Sequence, residues 1–394
     1  MAQINNDWKK ITLGDLGKII TGGTPSSRNP EYFGERYPFI TPSDIDGFTR
    51  YVDTERFLSE EGKEDQINKL LPSGAICFVC IGNTIGKVCM TKETSFTNQQ
   101  INSIIVDNQN YNNFFIYYLL CDISESIKSI ASGAATPIVN KSLFSSVNIN
   151  VPSLDIQNKI AAILSAYDDL IENNLRRIKI LEEMAQALYR EWFVHFRFPG
   201  HEKVRLVDSP LGKIPEGWRV EKLGNIIELN YGKGLPKEKR REGCVPVYGS
   251  SGIVGYHDRS IVDGPGIIVG RKGNVGSVFW SDTDFYPIDT VYYVSSELPL
   301  RYLFYDLQTR NFINNDAAVP GLNRKQAYSL ETILPTPELM DKFCNITEAF
   351  GKQASILRNK NEILRRTRDL LLPKLISGEI DVSELDIKVP EELD

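Results

Sequence analysis

One pattern occurs twice in this chain and limits its fold more than any other: a column of mostly apolar residues spaced seven apart. Ile160, Tyr167, Asn174, Leu181 and Leu188 form the first column, and Phe343, Phe350, Leu357, Leu364 and Leu371 the second. The two columns occupy matching places, because one constant separation also relates Pro152 to Pro335, Lys159 to Lys342 and Ile163 to Ile346. A sustained seven-residue repeat is the mark of a coiled-coil seam. Ile163, Leu170, Met184, Ile346, Ile356, Ile363 and Leu370 are expected to widen the apolar face. Pro152 and Pro335 stand just before each helix, where a missing N–H is harmless. Pro373 and Gly378 are expected to close the second helix. The alternative is that each stripe packs only on its own domain, but helices of this length exceed the usual globular range. Two equal helices in one chain pair most simply with each other. An antiparallel pairing places whatever precedes each helix at opposite ends.

The repeat extends into the segments before the helices. "WKKITLG" (8–14) matches "WRVEKLG" (218–224), and "AATPIVNKS" (134–142) matches "AAVPGLNRK" (317–325). Between these anchors the two fronts differ in length and sequence. Each contains a glycine turn, "IGNTIGKV" (81–88) and "RKGNVGSV" (271–278), with Gly86 on Gly276 and Val88 on Val278. The first turn has the flavour of a phosphate-binding loop, but its glycines are too close and Val88 replaces the hydroxyl a metal would need. "GAICFVCIG" and "PGIIVG" are short apolar strands ending in these turns. "NNFFIYYLL" (113–120, after Asn112) and "LRYLFYDL" (300–307) suit short helices packed on them.

The expected fold is therefore α+β: two mixed β-rich domains alternating with two long helices that pair as an antiparallel coiled coil, with an internal pseudo-two-fold repeat. The expected boundaries are 1–150 for the first front and 151–195 for the first long helix. A linker follows over 196–216, then the second front over 217–334, the second helix over 335–380 and an acidic tail over 381–394.

Several function classes are excluded on composition and motif. No run of about eighteen apolar residues exists, so no membrane span is expected. The start "MAQINNDWKK" has no apolar core of a signal peptide, and a cytoplasmic location is expected. Six cysteines in 394 residues are too few for a disulfide scaffold. Cys77 and Cys80 form a CxxC inside an apolar strand, where they face opposite sides, so no zinc site is expected. Asp53 with Glu61-Gly62-Lys63 loosely mimics a nuclease metal pair, but a solvated charged loop explains it better. The three histidines, His195, His201 and His257, are scattered. No catalytic and no metal-binding residue is assigned.

The chain resembles the specificity subunit of Type I restriction–modification systems. The residues that carry the likeness are "LGKIPEGWRVEKLG" (211–224), "NKIAAILSAYDDLIENNLRRIKILEEMAQALYREWF" (158–193) and "LLPKLISGEIDV" (371–382). The order front, helix, front, helix fits over essentially the whole chain. The resemblance implies that each front is a target-recognition domain reading one half of a split double-stranded DNA site. It implies that the helices set the gap between halves and dock two adenine-N6 methyltransferase (M) subunits, with restriction (R) subunits joining through the complex. S-adenosylmethionine, ATP and Mg are then expected only in those partners, and no cofactor in this chain. The residues agree independently: there is no Pro-Pro for a base-gripping methyltransferase motif and no G-x-G-x-x-G after a strand. The rival reading is a coiled-coil protein-binding scaffold with two β-rich end domains.

If the fronts read DNA, base contacts need Arg, Lys, Asn or Gln, and phosphate contacts need cations and hydroxyls. In the first front the candidates are Thr24, Ser26, Ser27 and Arg28 in a polar loop, Asn83, Thr84 and Lys87 at the glycine turn, and Asn98 and Gln99 in "TNQQ". In the second they are Lys233, Lys237, Lys239, Arg240 and Arg241 in a basic run, Ser250 and Ser251, and Arg271, Lys272 and Asn274 at the second glycine turn. Lys141, Arg324 and Lys325 precede the helices, where a structural junction is an equally open reading. Trp192 and Phe193 either dock a partner or pack the helix end on the next domain. The formal net charge of −6 is carried largely by segments outside these loops, such as "SEEGKED" and the tail. The tail is expected to be frayed.

Overall fold

The computed structural model describes residues 8–46, 49–131, 137–312 and 321–390. The chain divides into two compact units, residues 1–174 with 360–394, and residues 175–359. Each long helix therefore contributes one part to each unit.

The first unit contains strands β1 (Lys9–Thr12), β2 (Gly17–Thr21), β3 (Phe33–Gly34), β4 (Tyr37–Ile40), β5 (Phe57–Leu58), β6 (Ile76–Val79), β7 (Val88–Met90), β8 (Phe96–Thr97), β9 (Ile101–Val106) and β10 (Asn148–Val151). Its helices are α1 (Glu60–Asp65), α2 (Asn113–Ile130), α3 (Lys141–Ser145) and the first part of α4 (Leu154–Tyr189). The strands form an antiparallel sheet in the order β2-β9-β6-β7, a second sheet β3-β5-β4-β8, and the pair β1-β10.

The second unit repeats this plan. It begins with a hairpin of β11 (Leu206–Ser209) and β12 (Gly212–Pro215), then β13 (Arg219–Lys222), β14 (Glu228–Tyr231), β15 (Val245–Gly249), β16 (Gly252–His257), β17 (Gly266–Gly270), β18 (Val278–Ser281), β19 (Tyr286–Pro287), β20 (Val291–Ser295) and β21 (Glu331–Leu334). Helices α5 (Leu300–Gln308), α6 (Arg324–Ser329) and most of α7 (Pro337–Ile376) lie between and after them, with α7 passing into the first unit at Lys360. The sheet β14-β20-β17-β18 corresponds to β2-β9-β6-β7, and the pair β13-β21 to β1-β10. The repeat seen in sequence is thus a repeat of topology.

The apolar runs become the central strands because both of their faces are covered. In β6 and the residues flanking it, Ile76, Phe78 and Cys80 join the large core that includes α2, whereas Ala75, Cys77 and Val79 join a second core on the opposite face. The period-two alternation of a strand produces this split. Cys77 and Cys80 consequently face opposite sides, as their spacing requires, and all six cysteines are free.

Each helix carries a second buried column that the apolar pattern does not reveal. In α4 it runs Gln157, Leu164, Ile171, Ile178 and Ala185, and in α7 Met340, Thr347, Ala354, Asn361, Arg368 and Leu375. In α7 the polar members Thr347, Asn361 and Arg368 break this column, whereas in α4 only its first member, Gln157, is polar. Leu170, Met184, Ile356, Ile363 and Leu370, expected to widen the buried face, are instead exposed. They lie one position off the seam columns, on the side turned to solvent. Within the first unit, Asp168 pairs with Arg368 and Asn174 with Asn361. Within the second, Ile178, Ala354 and Leu357 form a buried cluster, and Glu182 pairs with Arg358 at 2.6 Å.

Pro373 does not end α7, which continues to Ile376 because Leu375 and Ile376 are buried in the first unit's core. The chain turns at Gly378, whose φ is +74°. The described residues that follow form no helix or strand, but they are not simply frayed: Val382 is buried and the Lys159 ammonium donates to the Ser383 carbonyl at 2.7 Å. After Tyr189 the first helix widens into a π turn over Arg190–Val194. Trp192 and Phe193 are buried there against Phe343, with Phe193 also on Trp218, so they pack the second unit and are not free to dock a partner.

Candidate nucleic-acid interface

Antiparallel order places the end of β2, the start of β9, the end of β6 and the start of β7 at one end of the first sheet. The loops that leave these ends hold most of the polar candidates of the first front. Gly22 and Gly23 donate their N–H groups to Ile101 O and Thr97 O, which ties the 21–29 loop to the "TNQQ" segment. Across that tie the Thr24 hydroxyl donates to Gln99 Oε1 at 2.7 Å. Ser26, Ser27, Arg28 and Asn83 are exposed and Thr84 is half-buried.

The same arrangement recurs in the second front. Gly232 donates to Val291 O and Lys233 to Pro287 O, so the "YGKG" stretch takes the place of "TGGT". The second glycine turn joins this end: Arg271 and Lys272 both donate their N–H groups to Thr290 O. The β15–β16 turn closes against it, with the Ser277 hydroxyl donating to Ser250 O at 2.8 Å and Asn274 Nδ2 to Ser251 Oγ at 3.4 Å. Lys233, Ser250, Ser251, Arg271, Lys272 and Asn274 are thus brought together.

The two repeated motifs, separate in sequence, meet in space. The first glycine turn bridges to the segment before α3, with Val139 donating to Cys80 O, and the second bridges to the segment before α6, with Leu322 donating to Arg271 O. Asn140 and Asn323 cap those helices, accepting from the N–H groups of Leu143 and Lys325. The shared Asn is therefore an N-cap, while Lys141 and Lys325 project outward. The "AAT" and "AAV" parts of these motifs lie outside the described residues.

Some candidates are used internally. The Lys87 ammonium is turned inward onto the carbonyls of Pro42 and Ile45. Asn98 is buried and folded onto Gln100. Arg240 is anchored to Val254 O at 2.6 Å, and Arg241 is 3.4 Å from Asp258. The basic run is thereby held against β16, with Lys237 and Lys239 exposed beside it on a short turn. Lys63 is occupied by Glu60 and the Tyr37 hydroxyl, and no cluster of metal-ligating residues exists among the described residues.

Sequence reasoning passed over one aromatic. Tyr231, at the exposed end of β14, lies under the guanidinium of Arg271 at 4.9 Å and that of Arg324 at 4.7 Å. Tyr292 stands beside it at 5.1 Å and receives Arg271 at 5.7 Å. Burial, and next the neighbouring Tyr231, pushes the Tyr292 hydroxyl above the ordinary tyrosine value. It stays a neutral donor, directed to Leu322 O. The available signal was Tyr231 itself, an aromatic ending a strand directly before a Gly-Lys-Gly.

The family model for the Type I restriction modification DNA specificity domain matches residues 5–183 and again 215–365. The chain belongs to this family. It is 28% identical over 427 aligned positions to the Type I restriction enzyme MjaIX specificity subunit of Methanocaldococcus jannaschii, covering 98% of this chain and 96% of that protein. Over 181 positions it is 36% identical to the HindI specificity subunit of Haemophilus influenzae, covering 44% of this chain and 39% of that one. The crystal structure of a Type I restriction-modification S subunit from M. genitalium has the same fold, with a TM-score of 0.55, 19% identity, and coverage of 95% and 98%. Two tandem target-recognition domains are thus present, in a mixed helix and sheet architecture. No described helix is long and apolar enough to cross a membrane.

Proposed function

We propose that this specificity subunit reads a bipartite double-stranded DNA target with an unread spacer. Residues 1–150 would read one half and residues 217–334 the other. The observation that carries this reading is the duplicated sheet end, where loops distant in sequence converge and present Thr24, Gln99 and Arg28 in one front and Lys233, Lys272 and Asn274 in the other. Phosphate contacts would position these loops, and their amide and guanidinium groups would read base edges.

The long helices would pair antiparallel as a coiled coil and act as the spacer. A helix of 36 residues is about 54 Å long, against about 34 Å for one DNA turn. Half-sites somewhat more than a turn apart suit that length. In the first unit, exposed Ile363 and Leu370, seven apart on α7, together with Leu170 on α4, would give adenine-N6 methyltransferase subunits an apolar surface to dock on. The chain would perform no catalysis. S-adenosylmethionine, ATP and Mg would be held by the modification and restriction subunits.

The test is methylome sequencing after co-expression with the methyltransferase subunit in a host lacking adenine methylation. A two-part motif with a constant unread gap is expected. Exchange of residues 1–150 for another front should change one half of that motif and leave the other intact. Co-purification without any modified adenine would favour the protein-binding scaffold instead.

A further inference from the structure

The cluster on Tyr231 is unusual in its charge. Two guanidiniums, Arg271 and Arg324, lie on one ring, and neither makes an ion pair with a described residue. Like charges brought together without a carboxylate repel, and a fold retains them where something else supplies acceptors. Both are held in place. Arg271 donates through Nη1 to Asp289 O at 3.1 Å, and its own carbonyl is tied to Leu322 N at 2.8 Å. Arg324 donates through Nη1 to Leu229 O at 2.9 Å. Stacking on an aromatic face and a backbone anchor fix the plane of a guanidinium while leaving most of its five N–H donors unused.

We infer that Arg271 is a guanine-reading residue of the second front, oriented for the task by Tyr231 and Arg324. A pre-oriented guanidinium fork matches the O6 and N7 acceptors of guanine in the major groove. The inference rests on the DNA-reading function proposed above and adds a base and a residue to it. Arg271 lies at the loop end of β17, where Lys272 and Asn274 project outward. Phosphate oxygens offer similar acceptors and can also take a guanidinium fork, but a phosphate contact is met equally by an exposed lysine such as Lys272, which needs no such ordering. Here the ring, the two anchors and the planar group specify direction as well. The first front has no such cluster: Thr21, Ile81 and Lys141 occupy the matching sequence positions, and Thr21 instead donates to Asn102. The two halves of the target should therefore be unrelated in sequence.

The experiment uses the full chain with its methyltransferase subunits, as wild type, Arg271→Lys, Tyr231→Leu and Tyr231→Phe. Each methylome is mapped, and binding is measured to duplexes carrying the wild-type motif and its single-base variants. The wild-type motif should contain a G·C pair in the half that changes when residues 217–334 are exchanged. At one such position Arg271→Lys should reduce a roughly ten- to hundredfold preference for guanine to a few-fold, with the other positions unchanged. Tyr231→Leu should relax the same position, and Tyr231→Phe, which keeps the ring, should restore it. Unaltered selectivity in Arg271→Lys, or weakening that is uniform over all duplexes, would overturn the assignment in favour of a phosphate contact. A half-site without any G·C pair would overturn it directly. A wild-type complex that assembles but methylates nothing would remove the DNA-reading function itself, and this inference with it.

Discussion

Asn174 donates its side-chain amide to the side-chain carbonyl of Asn361 at 2.8 Å, at a place where both residues are buried. Asn361 in turn donates to the backbone carbonyl of Ile171 at 3.2 Å. A buried Asn pair in a helical seam lowers stability relative to Leu but rejects registers that leave an amide unpaired. Replacing Asn361 alone by Leu strands the Asn174 amide and should cost about 1–3 kcal/mol, read by chemical denaturation. Replacing both by Leu should recover that loss. If the pair sets register, the double variant should also methylate motifs with more than one gap length. A single unchanged gap would show that register is set elsewhere.

A second polar seam contact sits six residues away in α4. Asp168 accepts from Arg368 Nη1 at 2.5 Å and from the Tyr118 hydroxyl at 2.6 Å, with all three residues buried. Asp168→Ala would leave a buried guanidinium with only the adjacent Asp369 for company. A loss of about 3–5 kcal/mol is expected for breaking one side of such a pair. Combining Asp168→Leu and Arg368→Met with Tyr118→Phe, which removes the hydroxyl that would otherwise be stranded, should return most of it, since well-packed apolar replacements of buried pairs are often neutral. Denaturant midpoints of the two variants decide the matter.

These two contacts also explain what the sequence made legible. The column through Ile160 and Leu181, and that through Phe343 and Leu371, was visible because apolar residues repeat in it. Its companion in α7 was hidden because Thr347, Asn361 and Arg368 interrupt it; Asn361 and Arg368 are buried through partners on α4 that only the fold supplies, and Thr347 by donating to Phe343 O in its own helix. Exposed Leu170, Met184 and Ile363 misled in the opposite sense, since hydrophobicity does not say which surface a residue faces. In the fronts, the glycine turns and loop candidates were readable as motifs. Their convergence was not, because it depends on antiparallel strand order. The inward turn of Lys87 depends on the carbonyls of Pro42 and Ile45, far away in sequence. Pro373 looked like a stop, yet core burial of Leu375 and Ile376 carries the helix past it.

Glu172 and Asp169 share the buried guanidinium of Arg50, at 3.2 and 2.6 Å. Burial pushes the Glu172 carboxyl above the ordinary carboxylate value despite the nearby Arg50. A raised folded-state value means that the protonated form favours folding. That contribution is present at low pH and lost as pH rises through the folded-state value. Glu172→Gln, which mimics the neutral form and leaves Asp169 on Arg50, should melt at or slightly above the wild-type temperature at pH 7. The two melting curves should converge as pH falls below the ordinary range. A variant clearly less stable at pH 7 would show that the charged pair is net favourable.

Gly86 and Gly276 hold equivalent turns with φ of +97° and +79°. A Cβ at Gly276 would lie 2.8 Å from Phe312 Cβ, a buried residue, whereas at Gly86 its nearest neighbour is Ser124 at 3.5 Å. Alanine at Gly86 should cost about 1–2 kcal/mol from backbone strain alone. At Gly276 the clash adds to this, so the larger loss is expected there. Under the proposed function, methylome mapping of Gly276→Ala should show weakened selectivity confined to the half that changes when residues 217–334 are exchanged.

Lys237 and Lys239 differ from the neighbouring Arg240 in what they touch. Arg240 anchors the basic run to Val254 O, while the two lysines are exposed on the turn. Lysines in that position supply charge without direction, and so should contact phosphate. Lys237→Gln with Lys239→Gln should weaken binding of the assembled complex equally for the target and for its single-base variants. The salt dependence should fall by roughly one unit of slope for each phosphate contact removed. Folding stability should not change, in contrast to Arg240→Gln, which removes the anchor. Measuring affinity between about 50 and 200 mM salt covers the range in which such contacts are most visible. A variant that loses affinity for one sequence only would place these lysines among the base-reading groups.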